Sequence, residues 1–260
     1  MKLPGILFTL LTSLLAWSQT PKLPSHPQRL KIALDPGHGG EDGGAIGVKK
    51  LQEKEASLDL ALALAQALET AGFEVLLTRK EDTFVPLWER AQKANDAGAD
   101  LFLSLHFNAA RSKGARGSEV YFLSLDQGDA DAAEVAKLEN AGGDRNPETQ
   151  DVVAGILDDL AQKAFLQDSE RLAVAIQTQL NQIGNIKQRG VKQAPFAVLR
   201  RAAMPAALVE AAFISNPKEE AKLRDPAFRK RVAEAVTQGV RRFFANGLPT
   251  SRRKAILGPR

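Results

Sequence analysis

The chain has 260 residues, 44% hydrophobic and 25% charged, with no cysteine and a net charge of +4. Such a composition can fill one sizeable core, and the missing thiols exclude disulfides, thiolate metal sites and cysteine nucleophiles. The positive balance does not mark a nucleic-acid surface. Arg252, Arg253, Lys254 and Arg260 lie in an acid-free tail, 248–260, and without them and Lys2 the body stands at −1.

At the start, Lys2 precedes an apolar run from Leu3 to Trp17, and Ala16-Trp17-Ser18 places small residues before a cut ahead of Gln19. This predicts a secretory signal over 1–18 and a secreted, periplasmic protein. The run is short for a membrane span, so no stable membrane insertion is expected. Residues 19–28, with three prolines, read as a linker.

An apolar run near Leu30–Asp35 predicts the first strand. It ends in a loop carrying Gly37, His38, Gly39, Gly40, Gly43 and Gly44. Leu58, Leu62, Ala65 and Leu68 predict a helix over Ser57–Ala71, stopped by Gly72. Phe73–Thr78 follows as a strand and Val85–Ala97 as a helix. Leu101–Phe107 reads as a central strand buried on both faces. Ser118–Leu123, Phe196–Leu199 and Ala206–Phe213 are further strands. Ser215-Asn216-Pro217 is a turn signal, and Phe228–Ala245 is a closing helix. This alternation predicts a single α/β domain over 29–247, with a mostly parallel, twisted central sheet of about six strands flanked by helices. One region breaks the rhythm: residues 126–170 hold twelve acids against Lys137, Arg145 and Lys163. They read as an acidic helical insertion, a solubilising surface segment or a movable lid.

Chemistry concentrates at the strand ends. Of three histidines, His26 lies in the linker, whereas His38 and His106 each end an apolar strand. In neighbouring parallel strands both imidazoles would reach one sheet edge and suggest a metal. Without cysteine, a third ligand must be a carboxylate. Glu41, Asp42, Glu53 and Glu55 are the candidates, the last two at a helix start, where acids also favour the dipole. Glu210 lies inside the apolar run 206–213, where an acid is costly to bury unless paired or protonated. It is the candidate general acid and base. There is no zinc-protease helix motif, nucleophile elbow or complete phosphate loop.

Together, Asp35-Pro36-Gly37-His38-Gly39-Gly40, Glu53-Lys54-Glu55, Ser104-Leu105-His106-Phe107-Asn108-Ala109 and Val209-Glu210-Ala211-Ala212-Phe213-Ile214-Ser215-Asn216 resemble the zinc-dependent N-acetylmuramoyl-L-alanine amidases of the bacterial cell-separation type. The resemblance runs in order from about Lys31 to Ala245. It implies a Zn2+ ion on His38, Glu53 and His106, with Glu210 catalytic. The implied reaction is hydrolysis of the peptidoglycan amide between N-acetylmuramic acid and L-alanine. The 126–170 segment resembles the autoinhibitory insertion of activator-dependent members, which puts Glu139, in Leu138-Glu139-Asn140, on the zinc and implies a protein activator. Many such relatives carry a wall-targeting domain before the catalytic one, and here only the linker is expected there. The alternatives are another zinc peptidase acting on wall peptides and a non-catalytic wall-binding module.

Overall fold

The structure, a computed structural model, describes residues 29–124, 130–142, 152–184, 186–247 and 249, with the backbone alone for 142 and 152–164. The expected signal and linker, His26, and nearly all of the basic tail lie outside these residues. Among the described residues no helix is long and apolar enough to cross a membrane.

Six strands form one sheet: β1 (Lys31–Pro36), β2 (Glu74–Leu77), β3 (Leu101–Asn108), β4 (Ser118–Leu123), β5 (Gln188–Ala194) and β6 (Ala206–Phe213). Their order is β2-β1-β3-β6-β4-β5. Every neighbouring pair is parallel except β4 with β6. β3 and β6 are buried at every position, as expected for central strands covered on both faces.

Two apolar layers sandwich the sheet. On one face Leu60, Leu64 and Leu68 of α1 (Glu53–Thr70), Leu172 and Ile176 of α4 (Val152–Leu180) and Val232, Val236 and Val240 of α6 (Pro226–Ala245) meet Leu34, Leu103, Leu105 and Val209. On the other, Ala91 and Ala94 of α2 (Leu87–Asp96) and Ala132 and Ala136 of α3 (Ala130–Glu139) meet Ala33, Phe102, Tyr121 and Leu208. α4 and α6 cross at Gly239, where a Cβ would lie 2.6 Å from the Cα of Ile176.

Several expectations are revised. Phe196–Leu199 is not a strand; Ala197–Leu199 is a 3₁₀ turn whose Val198 and Leu199 are apolar because they are buried under the sheet. The sixth strand is instead β5, an edge strand too polar to show alternation. In α1 the core stripe is Leu60, Leu64 and Leu68, while Leu62 is 44% exposed. That helix is rich in Leu and Ala on all sides, so periodicity alone does not select the face. Asn216-Pro217 begins a helix, α5 (Pro217–Leu223): the Asn216 side chain accepts from the amides of Lys218 and Glu219, and proline takes the first turn. Helix α4 runs unbroken through position 170, the expected end of the insertion.

The chain passes from β1 to β2 on one side and returns to β3 on the other. Strand order therefore reverses around β1, and a crevice opens beyond the carboxyl ends of β1 and β3, the place where open α/β sheets bind ligands.

Candidate metal centre

His38 follows β1 in a left-handed backbone conformation, φ 59°, which costs a non-glycine residue on the order of 1–3 kcal/mol. Two buried arginines hold the loop there. Arg90 donates to the carbonyls of Pro36 at 2.8 Å and His38 at 2.9 Å. Arg79 donates to those of Pro36 at 3.0 Å and Gly37 at 2.8 Å. Asp35 balances Arg90 at 3.0 Å and accepts from Thr78 at 2.6 Å and Ser104 at 2.8 Å. Burial by itself would raise the Asp35 pKa; Arg90 and then the two hydroxyls bring it below the ordinary value.

The glycines make room for the imidazoles. A Cβ on Gly37 would overlap the His106 ring, and one on Gly44, whose φ is +64°, would strike His38 and Glu53. Asp42 accepts from His38 Nδ1 at 2.9 Å, which fixes the ring and turns Nε2 inward, an outer contact typical of a metal-ligating histidine.

Glu53 opens α1 and is 1% exposed. Its Oε2 accepts from the Ala45 amide and its Oε1 from the Phe107 amide, each at 3.0 Å. Its oxygens lie 3.1 Å from His38 Nε2 and 3.1 Å from His106 Nδ1. Glu139, the last residue of α3, brings Oε2 to 2.8 Å from His106 Nδ1 and 3.1 Å from His38 Nε2. Ligand atoms of His38, Glu53, His106 and Glu139 all lie within 4.8 Å of one another. Glu41 and Glu55 are exposed, and Asp42 serves His38 from behind.

This donor set fits a metal ion. His38 Nε2 and Glu139 Oε2 are buried and have no aligned hydrogen-bond partner, although they are 3.1 Å apart. Atoms that converge at this distance without hydrogen-bond geometry are arranged around a common point. Tetrahedral zinc with bonds of about 2.0–2.1 Å has edges of about 3.3 Å. In the metal-free state protons occupy the same lone pairs. Burial opposes the charged imidazole of His38, but Glu53 and then Asp42 and Glu139 raise its pKa strongly. His106 is likewise disfavoured by burial yet pushed up to about 10 by Glu139 and Glu53. Binding a cation would release these protons.

Glu210 stands directly across from His106 in the β3–β6 register, and Glu119 of β4 stands across from Glu210. His106, Glu210 and Glu119 therefore form one row over three strands, on the face that α3 covers. Glu210 is fully buried, and neither carboxylate oxygen has a partner. Burial first, and then the charge of Glu139, hold its pKa well above the ordinary value against the pull of His106. Glu119 is also fully buried: Asn108 donates to Oε1 at 2.6 Å, while Oε2, without an aligned hydrogen bond, is ion-paired with Lys192 and Arg189 at 2.7 and 3.1 Å.

Asp42, a candidate ligand from the sequence, instead backs His38, and the sequence did not mark Arg79, Arg90, Glu119, Arg189 or Lys192 as parts of this region. The arginine of α2 carried one available signal, since it falls on the apolar face with Ala91 and Ala94.

Fold and site define an α/β protein with a histidine–carboxylate cluster suited to a metal ion at the sheet's carboxyl edge. The profile of the family described as N-acetylmuramoyl-L-alanine amidase matches residues 32–242. The chain is 38% identical to N-acetylmuramoyl-L-alanine amidase AmiC of Escherichia coli O6:H1, a match covering 90% of this chain and 60% of that protein. It is 34% identical to the amidase AmiA of E. coli K12, over 86% of this chain and 79% of AmiA. The crystal structure of an N-acetylmuramoyl-L-alanine amidase from Clostridium difficile 630 superposes with a TM-score of 0.65 at 28% identity, covering 84% of this chain and 97% of that one. The chain belongs to the N-acetylmuramoyl-L-alanine amidase family.

Proposed function

We propose that the protein hydrolyses the amide between N-acetylmuramic acid and L-alanine in peptidoglycan, with zinc on His38, Glu53 and His106 and with Glu210 as general base and acid. The observation that carries this reading is the His38/Glu53/His106 cluster with an unpartnered, fully buried carboxyl one strand away. A zinc ion held there polarises a carbonyl and acidifies water. The protein's own groups do the rest. Asp42 orients His38. The Ala45 and Phe107 amides orient Glu53. Glu210 takes a proton from the attacking water and delivers it to the leaving amine nitrogen. Burial and then the Glu139 charge favour its protonated form in the covered site, so moving Glu139 away favours the ionised form that acts as base.

Glu139 gives the site a resting state. With a zinc ion on His38, Glu53 and His106, its carboxylate would stand as a fourth ligand, in the place that water or substrate needs. The segment that carries it is therefore an autoinhibitory cover, and an activating protein would have to bind the uncovered form better than the covered one. Glu139→Ala is expected to raise basal hydrolysis at least about tenfold, the equivalent of ~1.4 kcal/mol in cover stability. An unchanged basal rate with unchanged zinc affinity removes Glu139 from this role. The N-terminal segment supports export to the periplasm as its site of action.

Digestion of purified sacculi with the zinc-loaded protein tests the activity. New L-alanine amino termini are expected. Cleavage elsewhere in the peptide would make the protein a wall peptidase. No release, even with Glu139→Ala, would make it a binding module.

A further inference from the structure

Beside the metal cluster lies a cavity of about 610 Å³, floored by Asn108, Glu119, Arg189 and Lys192 and walled by α3. Arg189 and Lys192 are three apart on β5, a spacing that in a regular strand sends side chains to opposite faces. The strand is not regular. Ser118 pairs with Gln188 but Glu119 pairs with Gly190, so Arg189 is an extra residue at a bulge, and Gly190 takes φ +88°. A bulge of this kind re-aims a side chain. Here it brings Arg189 beside Lys192, whose partner Tyr121 shares the face of Glu119. Arg189 lies over the Phe213 ring, 4.9 Å from its centroid, and Lys192 over the Tyr121 ring at 5.9 Å.

Two cations thus share one oxygen of one carboxylate, whose other oxygen belongs to Asn108. Arg189 makes that approach through Nε, not through its terminal fork. The corner keeps an excess of positive charge inside a cavity. The wall facing it bears the complementary sign: Asp131 and Glu134 of α3 line the same space, on the helix that ends in Glu139. In a muramoyl peptide the glycan offers hydroxyl and acetamido groups, and the carboxylates lie on the peptide side of the scissile amide.

We propose that this cavity receives the peptide half of the substrate, and that Arg189 and Lys192 bind a carboxylate on the residues following L-alanine. Helix α3 stands in for that acidic peptide in the covered state, with Glu139 at the cluster and Asp131 and Glu134 along the groove. The assignment rests on the amidase reading above and adds a substrate preference, acid over amide. Guanidinium and ammonium bind carboxylates by charge-assisted hydrogen bonds and gain much less from a carboxamide.

The test uses two muramoyl peptides that differ only in a carboxylate or a carboxamide on the residue after L-alanine. They are assayed with the zinc-loaded Glu139→Ala protein and with Arg189→Gln and Lys192→Gln added to it. The expected result is a preference of about tenfold for the carboxylate, carried in KM, that each Gln variant reduces by raising KM for the carboxylate substrate. Arg189→Lys and Lys192→Arg are expected to keep most of it. If a single Gln variant does not fold, Glu119→Gln with Arg189→Gln removes both charges together and replaces it. Equal losses on both substrates, or no preference in the parent protein, overturn the proposal. Calorimetric titration with the free acidic peptide and its amide separates this from the activity itself. Binding that needs both cations, in a protein that cleaves neither substrate, would sustain the subsite and refute the amidase reading. Cleavage with acid and amide bound alike would do the reverse.

Discussion

The β1–β3 corner and helix α3 both deliver a carboxylate to the same two imidazoles, Glu53 from one side and Glu139 from the other. The corner is over-determined. Glu53 is 1% exposed and fixed by two backbone amides, and the loop before it is held by Arg79, Arg90 and Lys54, the last reaching the Gly40 carbonyl at 2.7 Å. Glu220 of α5 secures the approach to Glu53 as well, accepting from the amides of Lys49 and Leu51. Helix α3 has far less. Its buried residues are Ala132 and Ala136, and Leu138 is 53% exposed. Just past its end, Asn140 donates to the Pro195 carbonyl at 3.0 Å and accepts from the Ala197 amide at 2.8 Å. Two buried methyl groups contribute only about 0.8 kcal/mol each. One carboxylate thus sits in a rigid corner and the other on a lightly held helix, the contrast on which the proposed autoinhibitory cover rests.

The sharpest way to probe the permanent side is Glu210→Gln. It keeps the shape and removes the titrating group, so kcat is expected to fall about 10²–10⁴-fold with zinc stoichiometry unchanged. Parallel loss of zinc would mean that Glu210 belongs to the ligand set instead. Next in size is Asp35→Ala, which leaves the Arg90 charge buried and unpaired at the centre of the corner. A loss of about 3–5 kcal/mol is expected in urea unfolding. The lowered pKa adds a pH signature. A carboxyl held below its unfolded value stabilises the fold above that value, about 3.9, and the benefit fades as pH falls below it. Asp35→Asn should therefore flatten part of the stability loss below pH 4, and an unaltered acid limb would contradict the assignment.

Gly37→Ala tests how tightly the corner is fitted. The added methyl meets the His106 ring, and zinc affinity is expected to drop about 10–100-fold, the range seen when a ligand's surroundings are disturbed. Unchanged affinity would show that the ring has room to move. The smallest effect is expected on the cover. Asn140→Ala removes two part-buried hydrogen bonds; at about 0.5 kcal/mol each, the low end for such groups, basal hydrolysis should rise about fivefold, less than with Glu139→Ala. A fall in basal rate would mean that α3 supports the active state.

Much of the corner was legible because its chemistry needs rare residues at strand ends. Two histidines closing two apolar runs, and an acid inside a third, stand out whatever the fold. Glu139 was reached through likeness of the insertion, not through any local pattern. Arg90 and Asp35 were harder to read, since a buried ion pair is written in residues that are usually solvated. β5 was missed because an edge strand with a bulge has neither apolar alternation nor a fixed side-chain period. Phe196–Leu199 was misread for the opposite reason: burial makes a turn apolar too.

By itself the sequence marked one central strand, a short set of candidate metal ligands and where the glycines must lie, because burial and backbone freedom are local demands on residue type. Only the tertiary structure decided that Asp42 backs His38, that Glu53 points inward while Glu55 faces solvent, and that His106, Glu210 and Glu119 form one row. Those relations depend on strand order, register and a bulge. They are set by packing between segments far apart in the chain, and no short window of sequence carries them.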